Sequence, residues 1–186
     1  MLRTGFATCT LLLSLTAMLS FPLASSTRAE DKTGSAVEAP TQIESSLEIR
    51  GDVTNPRRID AAELAKLPRA ETRTPDPHNP GKEIVYSGTP LIEVLKAGGL
   101  RLDSGETGFR ETVKITVLVD GSDGYRAVFA LAELSPDFTD RVILLAETKD
   151  GQPLPAREGP FRIVVPGEKR PARWVRQVTA VEVRRN

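Results

Sequence analysis

Thiol and imidazole side chains are almost missing from this sequence: its 186 residues include one cysteine, Cys9, and one histidine, His78. That supply cannot furnish the Cys and His sets that hold structural zinc or iron. It also leaves a cysteine or serine triad without support. A chain with one cysteine forms no internal disulfide. Aromatic residues make up only 5% of the chain, so any core must be mainly aliphatic. Beyond the N-terminal segment, no run approaches the roughly 20 apolar residues needed to cross a bilayer. There is no nucleophile elbow, Walker A sequence, dinucleotide glycine fingerprint or HExxH. Carboxylates are scattered, and spacing alone places no pair of them together.

What is present suits one ordinary globular domain with tails, at 39% apolar and 27% charged residues. The N-terminus has the pattern of an export signal. Arg3 is a positive start, Leu11 to Leu23 an apolar stretch, and Thr27-Arg28-Ala29 offers small residues where a signal peptidase reads. Residues 1–29 are therefore expected to be a signal peptide cleaved after Ala29, with Ala24 as the second choice and a retained anchor as the alternative. Cys9 precedes the apolar stretch and is no lipoprotein acceptor, and cleavage would remove it. The mature chain would be periplasmic or secreted, without a thiolate to bind a metal. Residues 30–46 are polar and aperiodic and read as a disordered leader, so the domain is expected over 47–186.

Within the domain, Leu47 to Val53 alternates like a half-buried strand. Asp60 starts a helix with Glu63 completing a capping box, Ile59 and Leu64 as a staple, and Pro68 as the stop. Three prolines make Arg69 to Lys82 a loop, with a short strand at its start. His78 lies in that loop, either as a ligand contact or acid–base group, or simply solvated. Ile84 to Tyr86 reads as a strand. Thr89-Pro90 opens a second helix that buries Leu91, Val94 and Leu95 and ends at Gly98-Gly99. Arg101 to Glu111 reads as a polar loop, and Val113 to Val119 as a strand. Asp120 to Gly124 is a turn that lacks the ligand spacing of a calcium loop. Tyr125 to Ala130 is the returning strand, Ala132 to Asp137 a helical turn, and Val142 to Ala146 a central strand. Trp174 to Val183 closes the domain as a strand with a bulge. Strands outnumber the short, early helices, which predicts an α+β fold with mixed sheets.

The densest chemical signal is Leu154 to Arg176. Arg157, Arg162, Lys169, Arg170, Arg173 and Arg176 face only Glu158 and Glu168, a surplus of four positive charges in a chain of zero formal net charge. A local positive field on a neutral protein suits a small anion better than nucleic acid, although such charges also form plain solvated faces. Bottom-up, the chain reads as a binding domain more than a catalyst.

The ordered series LEIRG, ELAKLP, YSGTPL, AGGL, DGY, LLAETKDGQPLP, GPFRIVVPG and ARWV resembles the molybdopterin-binding domain of the sulfite oxidase family over about Leu47 to Val183. The resemblance implies that family's mixed-sheet fold and a pterin cofactor such as molybdopterin. It makes Arg162 of GPFR and Arg173 beside Trp174 cofactor contacts, with Lys169 and Arg170 in the same basic loop. Trp174 or Tyr125 would stack on the ring, while Trp174 would serve equally as a core anchor for the last strand. The family's molybdenum-ligating cysteine falls in Thr72 to Glu83, where this chain has none. Its histidine before GPFR is replaced by Arg157 and Glu158. The resemblance is strongest to small exported members that bind a pterin without thiolate-bound molybdenum and report it to a membrane enzyme of cyclic-di-GMP signalling. Two alternatives stand beside this reading. One is a molybdenum-cofactor oxidoreductase, or a subunit of one, with His78 or Asp76 as metal ligand. The other is an interaction domain with an empty pocket.

Overall fold

The computed structural model describes residues 45–102 and 105–185, and the expected signal peptide and most of the leader lie outside them. Two five-stranded sheets organise the domain. In the first, β1 (Ser46–Gly51), β2 (Arg57–Asp60), β5 (Ile115–Gly121), β6 (Arg126–Ala130) and β10 (Val178–Arg185) lie in the order β2-β1-β10-β5-β6. Only β1 with β10 is parallel. The second is antiparallel. β3 (Ala70–Pro75) pairs with β4 (Glu83–Pro90), which pairs with β7 (Leu144–Lys149). The far edge of β7 is shared by β8 (Gln152–Pro153) and β9 (Arg162–Val164). Three short helices, α1 (Ala61–Leu64), α2 (Leu91–Ala97) and α3 (Gly105–Thr112), complete it. The mixed-sheet α+β expectation holds.

The local signals explain several boundaries. Glu63 N–H donates to Asp60 Oδ1 at 2.7 Å and Asp60 N–H to Glu63 Oε2 at 3.3 Å, the reciprocal bonds of the capping box. Ile59 and Leu64 are buried in one cluster. The bulge in the last strand falls between Val178 and Ala180. Other boundaries moved. Thr89 does not cap α2: it belongs to β4, is fully buried, and donates to the Leu64 carbonyl. Pro90 is the N-cap, with no side-chain cap bond. The Pro-rich loop yields a six-residue strand, β3, tolerated because it is the sheet edge and Pro75 is its last residue. The polar loop expected at 101–111 contains α3, held by Arg110 donating to Glu106 at 2.6 Å and by Phe109 set edge-on to Phe138 at 5.6 Å. Val113 closes that helix, its N–H on the Phe109 carbonyl, so β5 starts only at Ile115. Trp174 is not in β10. It follows a 3-10 turn at Pro171–Arg173.

Alternation along the second sheet gives it two apolar faces. Leu145 and Ile163 point into the main core with Leu47, Ile49, Val117, Val181 and Phe129. Leu144, Ala146 and Val164 point the other way and join Ile84, Tyr86 and Leu154 in a smaller cluster. Trp174 packs against both. Neither cysteine nor methionine occurs after Met18, so the core consists of hydrocarbon and aromatic side chains alone. At the bulge between Ser87 and Gly88, β4 approaches β7 so closely that a Cβ on Gly88 would lie 2.1 Å from the Leu145 carbonyl oxygen.

Candidate functional site

Ile84 and Tyr86 of the smaller cluster, with Trp174, line a cleft. It is a cavity of about 620 Å³, bounded by the end of β3 (Thr74, Pro75) and the loop after it (Pro77, His78), by Ile84 and Tyr86 of β4, and by Lys149 at the end of β7. Arg157, Glu158 and Arg162 close a second side, and Gly167, Glu168, Lys169, Pro171 and Trp174 a third. A neighbouring cavity of about 430 Å³ shares Arg157, Glu158, Arg162, Pro171 and Trp174 as a common wall and adds Asp123, Tyr125 and Arg176.

Arg162 stands at the junction. Its side chain is 14% exposed and donates to Glu158, itself 9% exposed. The guanidinium carbon sits 5.4 Å from the Trp174 ring centre and 5.8 Å from that of Tyr86, within cation–π range of both. The two rings meet edge to face at 5.9 Å and 87°. The sequence places these groups because β9 lies beside β7 and β7 beside β4, so Arg162, Ala146 and Gly88 fall in register across the sheet. Burial pushes the Tyr86 hydroxyl's pKa up, with the charge of Arg162 pulling the other way.

Three buried side-chain polar atoms among the described residues have no hydrogen-bond partner: Arg162 Nε, Trp174 Nε1 and Glu168 Oε2. All three residues line the larger cavity. Buried polar groups are paired in the great majority of cases, so three orphans around one cleft mark a place built for a polar partner.

The expected site residues divide. Arg162, Trp174, Lys169 and His78 line the larger cavity, and Tyr125 the smaller, where its hydroxyl donates to the Ala172 carbonyl at 2.6 Å. Trp174 serves as cavity wall and core anchor together. Arg170 and Arg173 line neither cavity. Arg173 is held by carboxylates. It donates to both Glu133 oxygens at 3.0–3.1 Å and to Glu168 Oε1 at 2.7 Å, with its guanidinium carbon 4.7 Å from the Phe129 ring centre. The Glu133 bond raises its pKa first of all, and the Glu168 bond adds to this against the opposing effect of burial. Burial pushes Glu133 upward, but its bonds from Arg173 and the Ala130 N–H and the charges of Arg173 and Arg141 outweigh that and hold it below the ordinary carboxylate value. Asp76 is committed as well: it accepts from His78 N–H at 2.8 Å and Asn79 Nδ2 at 2.7 Å. Tyr86, Lys149, Glu158 and Glu168 were not singled out from sequence. Tyr86 looked like an ordinary strand residue, and the two glutamates looked like counter-charges.

Residues 80–186 match the family described as the oxidoreductase molybdopterin binding domain. The chain belongs to this family. The molybdopterin-binding domain also shares its fold with the sulfane dehydrogenase SoxCD from Paracoccus pantotrophus, at a TM-score of 0.57 and 20% identity. That likeness covers 74% of this chain but only 37% of the SoxCD chain. No curated protein matches the sequence.

The residues of this molybdopterin-binding domain fit the pterin part of such a cofactor. A pteridine is flat and carries ring acceptors together with amine and ring N–H donors. The cleft offers aromatic faces, two orphan donors and one orphan acceptor. Lys149 and Lys169 line it without an ion-pair partner among the described residues and suit a phosphate. A thiolate for a metal is missing, since no cysteine occurs after Cys9. The described residues also hold no cluster of three or more His, Cys, Asp or Glu side chains able to bind a metal ion.

Proposed function

We propose that this chain is an exported pterin-binding module that performs no redox catalysis of its own. The observation that carries this reading is the set of three unpartnered buried atoms, Arg162 Nε, Trp174 Nε1 and Glu168 Oε2, on residues around one aromatic-walled cleft. Trp174, braced edge-on by Tyr86, gives the ring an aromatic wall to lie against, Arg162 donates to it, and Lys149, Lys169 and Arg157 attract an anionic substituent. Molybdopterin, were it the ligand, would bring its own metal and redox chemistry on its dithiolene. This chain's residues would hold the pterin and its phosphate.

The N-terminal pattern supports delivery to the periplasm, and the polar leader at 30–46 supplies reach toward a membrane partner. In this reading the partner is the periplasmic part of a signalling protein such as a cyclic-di-GMP enzyme, which takes pterin status as its input. One observation favours the oxidoreductase alternative: His78, on the loop where the family's cysteine would fall, lines the same cavity.

The test is the composition of the full chain purified from its native compartment, heat-extracted and assayed for pterin fluorescence and for molybdenum. Pterin without stoichiometric molybdenum is the expected result. Stoichiometric molybdenum would establish the oxidoreductase instead, and extracts free of pterin would leave the interaction-domain reading.

A further inference from the structure

Glu168 is an unusual member of the cleft. Its two carboxylate oxygens have different fates. Oε1 is held by Arg173, at 2.7 Å from Nε and 2.6 Å from the terminal nitrogen. Arg173 is itself fixed by a forked interaction with Glu133, in the 3-10 turn that follows β6. Oε2 is buried and accepts from nothing in the protein. The side chain is 15% exposed and belongs to the cavity lining. A carboxylate fixed through one oxygen, with the other unsatisfied, can be completed only by a hydrogen-bond donor. The other two orphans in the cleft, Arg162 Nε and Trp174 Nε1, carry N–H donors and need acceptors.

We propose that Glu168 determines which pteridine this cleft accepts, by accepting a hydrogen bond at Oε2 from the amino-bearing edge of a 2-amino-4-oxopteridine. This rests on the pterin reading above and deepens it. A 2,4-dioxopteridine of the same shape would turn a carbonyl oxygen toward Oε2. Acceptor would then face acceptor in a desolvated site, and the carboxylate would remain unpaired. Sites built around a hydrogen-bonded group reject analogues that cannot form the bond far more strongly than apolar pockets reject a change of size. In Glu168→Gln, Arg173 retains the amide oxygen, because a guanidinium has only donors. The amide NH₂ then occupies the Oε2 position and presents donors where the parent presents an acceptor.

The experiment is a titration of the full mature chain, stripped of ligand, with 6-hydroxymethylpterin and with 6-hydroxymethyllumazine, for the parent and for Glu168→Gln. Affinity is followed by calorimetry and folding by thermal unfolding. The parent is expected to prefer the pterin by at least about tenfold. Glu168→Gln is expected to erase or reverse that ratio. A general weakening of the site would lower both affinities together and leave the ratio standing, so an unchanged ratio in a folded Glu168→Gln overturns the proposal. Equal affinities in the parent overturn it without any variant. If the parent binds neither compound, the pterin reading itself fails, a distinct result.

Discussion

Replacing Arg162 by methionine would leave Glu158 as a carboxylate 9% exposed with its close partner gone. Arg157 does not substitute, since it lies 3.8 Å away and its side chain is 81% exposed. Removing one partner of a buried ion pair while leaving the other charged costs about 3–5 kcal/mol. At about 2–4 °C per kcal/mol for a chain of this size, Arg162→Met should unfold roughly 6–20 °C below the parent. Adding Glu158→Gln to that variant removes the stranded charge, so the double variant should be more stable than Arg162→Met alone. Thermal unfolding by circular dichroism on the parent, the two single variants and the double variant closes the cycle. If Glu158→Gln lowers stability by the same amount in the parent and in the Arg162→Met background, the two side chains are not coupled and the reasoning fails. Ligand binding separates the two roles of Arg162. The double variant should regain stability without regaining pterin affinity, because the donor at Nε and the cation over Trp174 are still missing.

Gly88→Ala should destabilise by at least about 1–3 kcal/mol, since its Cβ would meet backbone atoms of Leu145 and Ala146 that have no rotamer to yield, and urea unfolding measures this. Glu133 titrates below its unfolded value, so its contribution is complete above the ordinary carboxylate range and is lost as pH falls through the folded value. The melting temperature of the parent should therefore fall more steeply on acidification than that of Glu133→Gln, and parallel curves would contradict the assignment. Raising salt from about 0.05 to 0.5 M should weaken binding of a phosphorylated pterin more than of its unphosphorylated form. The difference should shrink when Lys149 and Lys169 are both replaced by alanine; a salt response indifferent to the phosphate would refute their role.

The features legible in the sequence were those set by neighbours in the chain. The capping box at Asp60 and Glu63 and the bulge near Val178 depend on residues a few positions apart, and both appear where local chemistry puts them. α3 escaped because its apolar content is nearly confined to Phe109, and that ring packs on Phe138, which no local window includes. β2 is a four-residue edge strand whose pairing with β1 alone defines it. The site divides in the same way. One contiguous stretch supplied Arg162, Trp174 and Lys169, whereas Tyr86 and Lys149 reach the cleft through strand pairing. Arg162 and Arg173 looked equivalent, as two arginines in a basic stretch. Their partners separate them, since Arg173 donates to three carboxylate oxygens and Arg162 keeps an unpaired nitrogen beside two rings.

The composition of the core bears on how the domain meets oxidants. With no cysteine or methionine after Met18, the folded domain contains no sulfur atom. Peroxide therefore finds no thiolate to convert to sulfenic acid and no thioether to convert to sulfoxide. The domain cannot acquire mispaired disulfides of its own, nor lose packing through methionine oxidation. If the pterin proposed above occupies the cleft, its redox state can change without oxidation of any sulfur in the domain around it.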